Sequence, residues 1–251
     1  MAEQEISKHT LNALKTIANK ENDIWHKLRE VALEIFIIVF AVTLSIWMHE
    51  QGEHRHEQQQ VKSFLIGLKA DIQSDIADMN DNIQSYQEDD AIYSYLANLG
   101  PATTLDKVKF EDAYAHATVG FNRFFIPHNS RYEGFKSSGK LTSIEDDKLL
   151  QHIVSLHEEA MPVIHNSESG WIYNQNSLIH YLDVALDAPE GSDLPFKLIT
   201  APKGKRLSKS MIASPQLYER YHTYIELGTQ IIKEIELAYP DSAVKQVAVK
   251  S

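Results

Sequence analysis

The sequence predicts an all-α protein: one N-terminal transmembrane helix continuing into a long helix, and a soluble helical bundle. Three observations carry this. From Ile35 to Met48 the chain reads IFIIVFAVTLSIWM without a charge. Between Val61 and Tyr93 apolar residues recur at steps of three and four, the spacing of one helix face. Ten glycines and eight prolines are few for 251 residues, and no alternating pattern competes as a strand.

Residues 1–24 form a tail in which Ile6, Leu11, Leu14 and Ile17 stand at roughly helical spacing, suited to a membrane surface and too small for an enzymatic domain. Residues 25–48 hold the span. Val31, Ala32 and Leu33 extend the apolar run upstream past Glu34, giving a helix of about 27 Å against roughly 30 Å of bilayer hydrocarbon. Trp25 and Trp47 stand at its two ends, where interfacial aromatics belong. A signal peptide fits less well, because the run follows a long leader, contains Glu34 and lacks a small-x-small pattern after Ser45. A core helix of a soluble domain is the other alternative. Lys15, Lys20, Lys27 and Arg29 precede the run, and Arg55 and Lys62 follow it. The positive-inside rule then puts the N-terminus in the cytoplasm and the main domain outside, which in a double-membraned bacterium means an inner-membrane anchor and a periplasmic domain.

No proline occurs before Pro101, so the helix is expected to run on through residues 49–99. Its stripe is Val61, Leu65, Leu68, Ile72, Ile76, Met79, Ile83, Tyr86 and Tyr93, with Asp90 a polar break and the step to Ile76 a local stutter. Such a stripe needs a partner, either a second copy or the rest of the chain. Residues 100–251 complete the bundle. Gly100-Pro101 ends the long helix. Leu105 to about Val119 forms a short helix with Val108, Phe110, Tyr114 and Ala117 inward, and FNRFFIPHNSR reads as a loop. Ser143 caps a segment reaching about Leu186, which Pro162 and Gly170 are expected to kink or split. Ala188 to Ala213 reads as a loop with a basic run. Ser214-Pro215 starts a last helix to about Tyr239.

A net charge of −11 argues against nucleic acid as a partner, and the absence of cysteine removes thiolate chemistry and cysteine-bound metal. No G-x-S-x-G, P-loop or paired-carboxylate pattern occurs, so no catalytic residue or cofactor is assigned. The membrane exit WMHEQGEHRHEQQQ is rich in ligand-type side chains. On a helix Glu50, His54 and Glu57 share one face and are candidate metal ligands, although the HExxH spacing is absent. The competing reading is a solvated juxtamembrane helix with Glu–His pairs. Projected backwards, the stripe passes through His54, where a seam histidine would charge near neutral pH. Glu34, an acid inside an apolar span, is a candidate for proton-linked work of the stator kind, or simply reaches the headgroups. Lys203, Lys205, Arg206 and Lys209 form a basic cluster that suits an acidic partner or serves as a solvated loop. Trp171 and Tyr173 are expected to pack the bundle. Lys136, Ser137 and Ser138 offer either a ligand-binding corner or a helix–turn–helix lock stopped at a left-handed Gly139.

Two passages, KLREVALEIFIIVFAVTLSIWMHEQGEHRHEQ and RYEGFKSSGKLTSIEDDKLLQHIVSLHEE, together resemble an uncharacterised bacterial (Bacteroidota-type) family of single-span membrane proteins, known as a domain of unknown function. The resemblance implies one membrane helix and a helical soluble domain, and brings no catalytic residue, substrate or cofactor. Family members more often carry Asn-x-x-Glu after the tryptophan, where this chain has histidines. The expected function is therefore a non-enzymatic, membrane-anchored interaction protein, a scaffold or accessory subunit, with the lipid bilayer, further membrane-complex subunits or a second copy as partners. A sensory or ligand-binding bundle signalling through its span is the alternative, and a stator-like subunit using Glu34 the third.

Overall fold

The computed structural model describes residues 2–120, 123–189 and 191–240, with side chains at residue 29 and from 31 onward. The stripe of Ile6, Leu11, Leu14 and Ile17, the anchor Trp25, and the cations Lys15, Lys20 and Lys27 lie outside the described side chains. All regular structure among the described residues is helical. The chain divides into two compact units, Met1–Gln59 and Gln60–Ser251, and the helix α1 (Ala2–Asn98) contributes to both.

In the first unit, α1 carries a segment long and apolar enough to cross a membrane, with a mean hydropathy of 2.4 over its most apolar window. None of that window is buried, and Phe36, Phe40 and Trp47 are more than half exposed. A core helix would be covered by its own protein, so the soluble-core alternative loses its support. Within the run the Thr43 hydroxyl is satisfied locally: Oγ1 donates to the carbonyls of Val39 and Phe40 at 2.9 and 3.0 Å.

In the second unit the rest of the chain covers the stripe of α1. Val61, Leu65, Leu68, Ile72, Met79, Tyr86, Tyr93 and Leu96 are all buried. The stripe's partner between Val61 and Leu99 is thus intramolecular. One line of inward positions, 61, 65, 68, 72, 75, 79, half-buried 82, 86, 89, 93 and 96, alternates steps of four and three, and Phe64, Lys69, Ile83 and Leu99 are buried beside it. Asp75 and Asp89 occupy two of these heptad sites, while Ile76 and Asp90 sit at the edge of the seam.

The remaining helices are α2 (Lys107–Thr118), α3 (Ser130–Ser137), α4 (Asp147–Val154), α5 (Met161–Leu182), α6 (Leu194–Thr200), α7 (Pro202–Ser210) and α8 (Pro215–Ala238). In α2 the inward set is Phe110, Ala113 and Ala117, whereas Val108 is 69% exposed, so that side chain is corrected outward. α8 runs antiparallel to α1: Lys69 pairs with Glu236, Asp75 with Tyr224 and Asp90 with Tyr218. Gly228 allows a close approach, since a Cβ there would lie 2.9 Å from Ile72 Cγ2. Ser214 caps α8 as the sequence indicates, its hydroxyl accepting from Leu217 N at 3.3 Å.

Four expectations are corrected between Gly139 and Met211. Asp146, not Ser143, caps α4, accepting from Lys148 N and Leu149 N at 3.0 Å; Ser143 ends a short 3₁₀ turn. At Pro162 the regular α-helix is interrupted, as expected of the ring, while the chain stays helical. α4 passes into α5 through a π-helical turn, Ser155–Ala160, which widens the backbone just before the ring that cannot donate. Gly170 lies inside α5 without a break. The basic run is not a loop, because Pro202 opens α7 and Gly204 lets it press on α6. Trp171 is buried, its indole N–H donating to Met211 O at 2.8 Å, but Tyr173 is 73% exposed and packs nothing in the core.

Candidate functional site

The most heavily specified part of the second unit is the loop from Arg123 to Asn129, RFFIPHN. It has no regular structure, so each of its backbone groups needs a partner. The helices supply four of them. Tyr86 donates its hydroxyl to Arg123 O at 2.9 Å, and Glu168 Oε1 accepts from Phe125 N at 3.0 Å. His165 Nε2 lies 3.3 Å from Phe125 O. Asp75 Oδ1 accepts from His128 N at 2.9 Å and lies 2.7 Å from His128 Nδ1. Asp89 accepts from Arg123 Nε at 3.0 Å and lies 2.7 Å from His116 Nε2.

Three fully buried carboxylates from two helices therefore grip one loop. Each would be costly to bury alone, and each is compensated differently. Asp89 has a guanidinium and an imidazole. Asp75 has His128 and the hydroxyl of Tyr224, which donates to Oδ2 at 3.0 Å. Asp75, helped by Asp78 and Asp71, holds the His128 imidazole above its ordinary range. Glu168 is bonded by the Tyr221 hydroxyl and Phe125 N–H, with no cation bonded to its carboxylate among the described residues. Burial accordingly pushes its carboxyl up to about 7.

What the grip presents is apolar. Phe125 points inward, 1% exposed and edge-on to Tyr224 at 5.9 Å, while Ile126 is 76% and Phe124 39% exposed. Phe124 is braced flat against His165 at 4.7 Å. A shallow depression of about 280 Å³ runs between these side chains and Asp78, Asp81 and Asn82 on α1. Its rim is acidic. Ile126 and Phe124 together give this fixed loop an apolar tip.

Asp75, Asp78 and His128 also bring three ligand-type atoms within 4.8 Å of one another. The chemistry does not suit a cation, because Asp75 Oδ1 already takes the His128 amide and faces the Nδ1 that a metal would need. Glu50, His54 and Glu57 share the helix face expected of them, all exposed, but do not form such a converging group. His49 and Glu53 pair one turn apart at 3.3 Å, as the juxtamembrane reading expects. Glu34 is exposed on the apolar segment.

The corner at Lys136 is structural in its contacts. Lys136 Nζ and the Tyr132 hydroxyl donate to the same Glu158 oxygen at 2.5 and 2.9 Å. Ser137 and Ser138 turn back onto the carbonyls of Gly134 and Phe135, and Gly139 takes the left-handed φ of 73°. Behind Tyr132, His157 lies stacked at 4.0 Å with both ring nitrogens buried and without hydrogen bonds, and burial lowers its imidazole to about 4. Lys203, Arg206 and Lys209 are exposed along one face of α7, with Lys205 half-buried beside them.

Sequence reasoning missed Asp75, Asp89, Glu168, Arg123 and His128. A signal was present for two of them: Asp75 and Asp89 stand in the seven-residue series that runs through Val61, Leu68 and Leu96, on the apolar line itself. An acid at a heptad core site is either an error of register or a buried anchor.

The geometry defines a class: an all-α protein with one helix able to span a membrane and a bundle holding out one acid-gripped loop. Comparisons of the chain with family models, with curated proteins and with solved structures return no match.

Proposed function

We propose that this protein is a membrane-anchored interaction subunit whose recognition element is the loop from Arg123 to Asn129. The observation that supports it is the use of three buried carboxylates to fix a loop that leaves Ile126 in solvent. Rigid presentation removes the ordering cost a flexible loop would incur on binding. The anchor is the apolar segment of α1, with the N-terminus in the cytoplasm and the bundle in the periplasm of a double-membraned bacterium, in line with the flanking cations. The stripe from Val61 to Leu99 is occupied by the chain's own helices, which favours another subunit of a membrane complex over self-association through that stripe.

The test is affinity capture of the full-length protein in mild detergent, with mass spectrometry of what comes with it. Ile126→Asp should lose the co-purified partner while keeping helicity and thermal midpoint, because the side chain is mostly in water already. A partner retained by Ile126→Asp, or recovery of the protein alone, would defeat this reading.

A further inference from the structure

A cavity separate from the loop lies where α2, the turn after α5 and α6 meet. It encloses about 380 Å³, within the range of small-ligand sites. Its wall is aromatic and built on fixed elements. Phe110 meets Phe196 edge to face at 5.7 Å and lies 5.8 Å from Tyr114, and Leu105 closes one side. Tyr114 is pinned by its hydroxyl to Leu182 O, and α6 is tied to α5 by the Tyr181 hydroxyl on Leu198 O at 3.2 Å.

The mouth has a different character. Lys107 and Glu111, one turn apart on α2, both line it. Opposite charges at that spacing ordinarily pair. Here neither forms an ion pair with the other or with any described residue, whereas Asp193 opposite is taken by Lys197 at 2.7 Å. The result is an apolar slot with one open cation and one open anion side by side at its entrance.

We propose that this cavity binds a small zwitterion with an apolar side chain, of the α-amino acid type. The side chain occupies the space between Phe110, Tyr114 and Phe196. Lys107 Nζ donates to the ligand carboxylate, and Glu111 accepts from the ligand ammonium. A purely apolar molecule would leave both charges unused, and a simple acid or amine would use one and be repelled by the other.

The experiment is isothermal titration of the full-length protein in lipid nanodiscs, which keep free detergent out of the slot. Four probes share one side chain or its size: L-phenylalanine, L-leucine, phenylacetate and phenethylamine. The zwitterions are expected to bind about tenfold tighter than either single ion, the scale of one charged hydrogen bond. Ala188→Phe, which fills the cavity from its wall, should abolish binding without lowering the thermal midpoint. Lys107→Glu should weaken phenylalanine about tenfold and make phenethylamine the better of the two single ions. No heat with any probe, binding that survives Ala188→Phe in a folded protein, or phenylacetate binding as tightly as phenylalanine would each overturn the proposal.

Discussion

Glu168 is the one gripping acid whose carboxylate meets no cation among the described residues, and its carboxyl is held up to about 7 by burial. A carboxyl with a folded pKa above its unfolded value of 4.5 binds more protons in the fold than out of it. Its stability penalty is therefore absent below pH 4.5, grows between 4.5 and 7, and is constant above, reaching up to about 3 kcal/mol. Glu168→Gln keeps an acceptor for Phe125 N and Tyr221 and cannot ionise. The variant should match the wild type near pH 4.5 and exceed it by about 1–3 kcal/mol at pH 8, read from urea midpoints across that range. Parallel curves for the two proteins would show that Glu168 does not titrate in this window. His157 acts on the other side: neutral in the fold and ordinary when unfolded, it withdraws stability as pH falls from 6.5 towards 4.

At the scale of elements, α1 carries two demands on one face. The heptad repeat from Val61 to Leu96 needs apolar side chains to bury against α5 and α8, yet Asp75 and Asp89 occupy two of its sites. Leucine at either site would continue the apolar line and remove what holds the loop. Asp75→Leu takes away the acceptor of His128 N and of the buried Tyr224 hydroxyl, and should cost about 3 kcal/mol. The selective expectation is in hydrogen exchange: the His128 amide should lose protection while the amides of residues 61–96 keep theirs. Equal loss across the helix would mean that Asp75 supports the bundle rather than the loop. The helix pattern of α1 was legible because 3.6-residue periodicity is a local property. Its inward face is wider than a single heptad line: Ile76 packs against α8 at Gly228 and Ile83 is buried, beside the line that carries Asp75 and Asp89. The 188–213 stretch misled. Prolines and glycines read as loop punctuation, but Pro202 sits where a helix begins and Gly204 where α7 presses on the backbone of α6, whose Leu198 carbonyl lies 2.0 Å from the position of an added Cβ.

For the molecule as a whole, the covered stripe sets the expected assembly state. A fragment beginning at Gln60 retains every described residue of the second unit. It should be soluble, predominantly helical and monomeric by sedimentation, because the apolar line of α1 already has its partner in α5 and α8. A dimer of that fragment would reveal a further self-complementary face and return self-association to the leading place. The sequence by itself determined the fold class, the apolar segment fit to span a membrane, the Ser214 cap, the left-handed Gly139 and most inward residues, since these follow from periodicity, length and local capping chemistry. Only the tertiary structure decided which partner the stripe takes, and which acids are buried. It also decided that one irregular loop is fixed by three of those acids while Ile126 remains in water. Those outcomes rest on contacts between residues 34 to 149 apart in the chain, such as Arg123 to Asp89 and Tyr224 to Asp75, and pairings at that range leave no trace in local spacing.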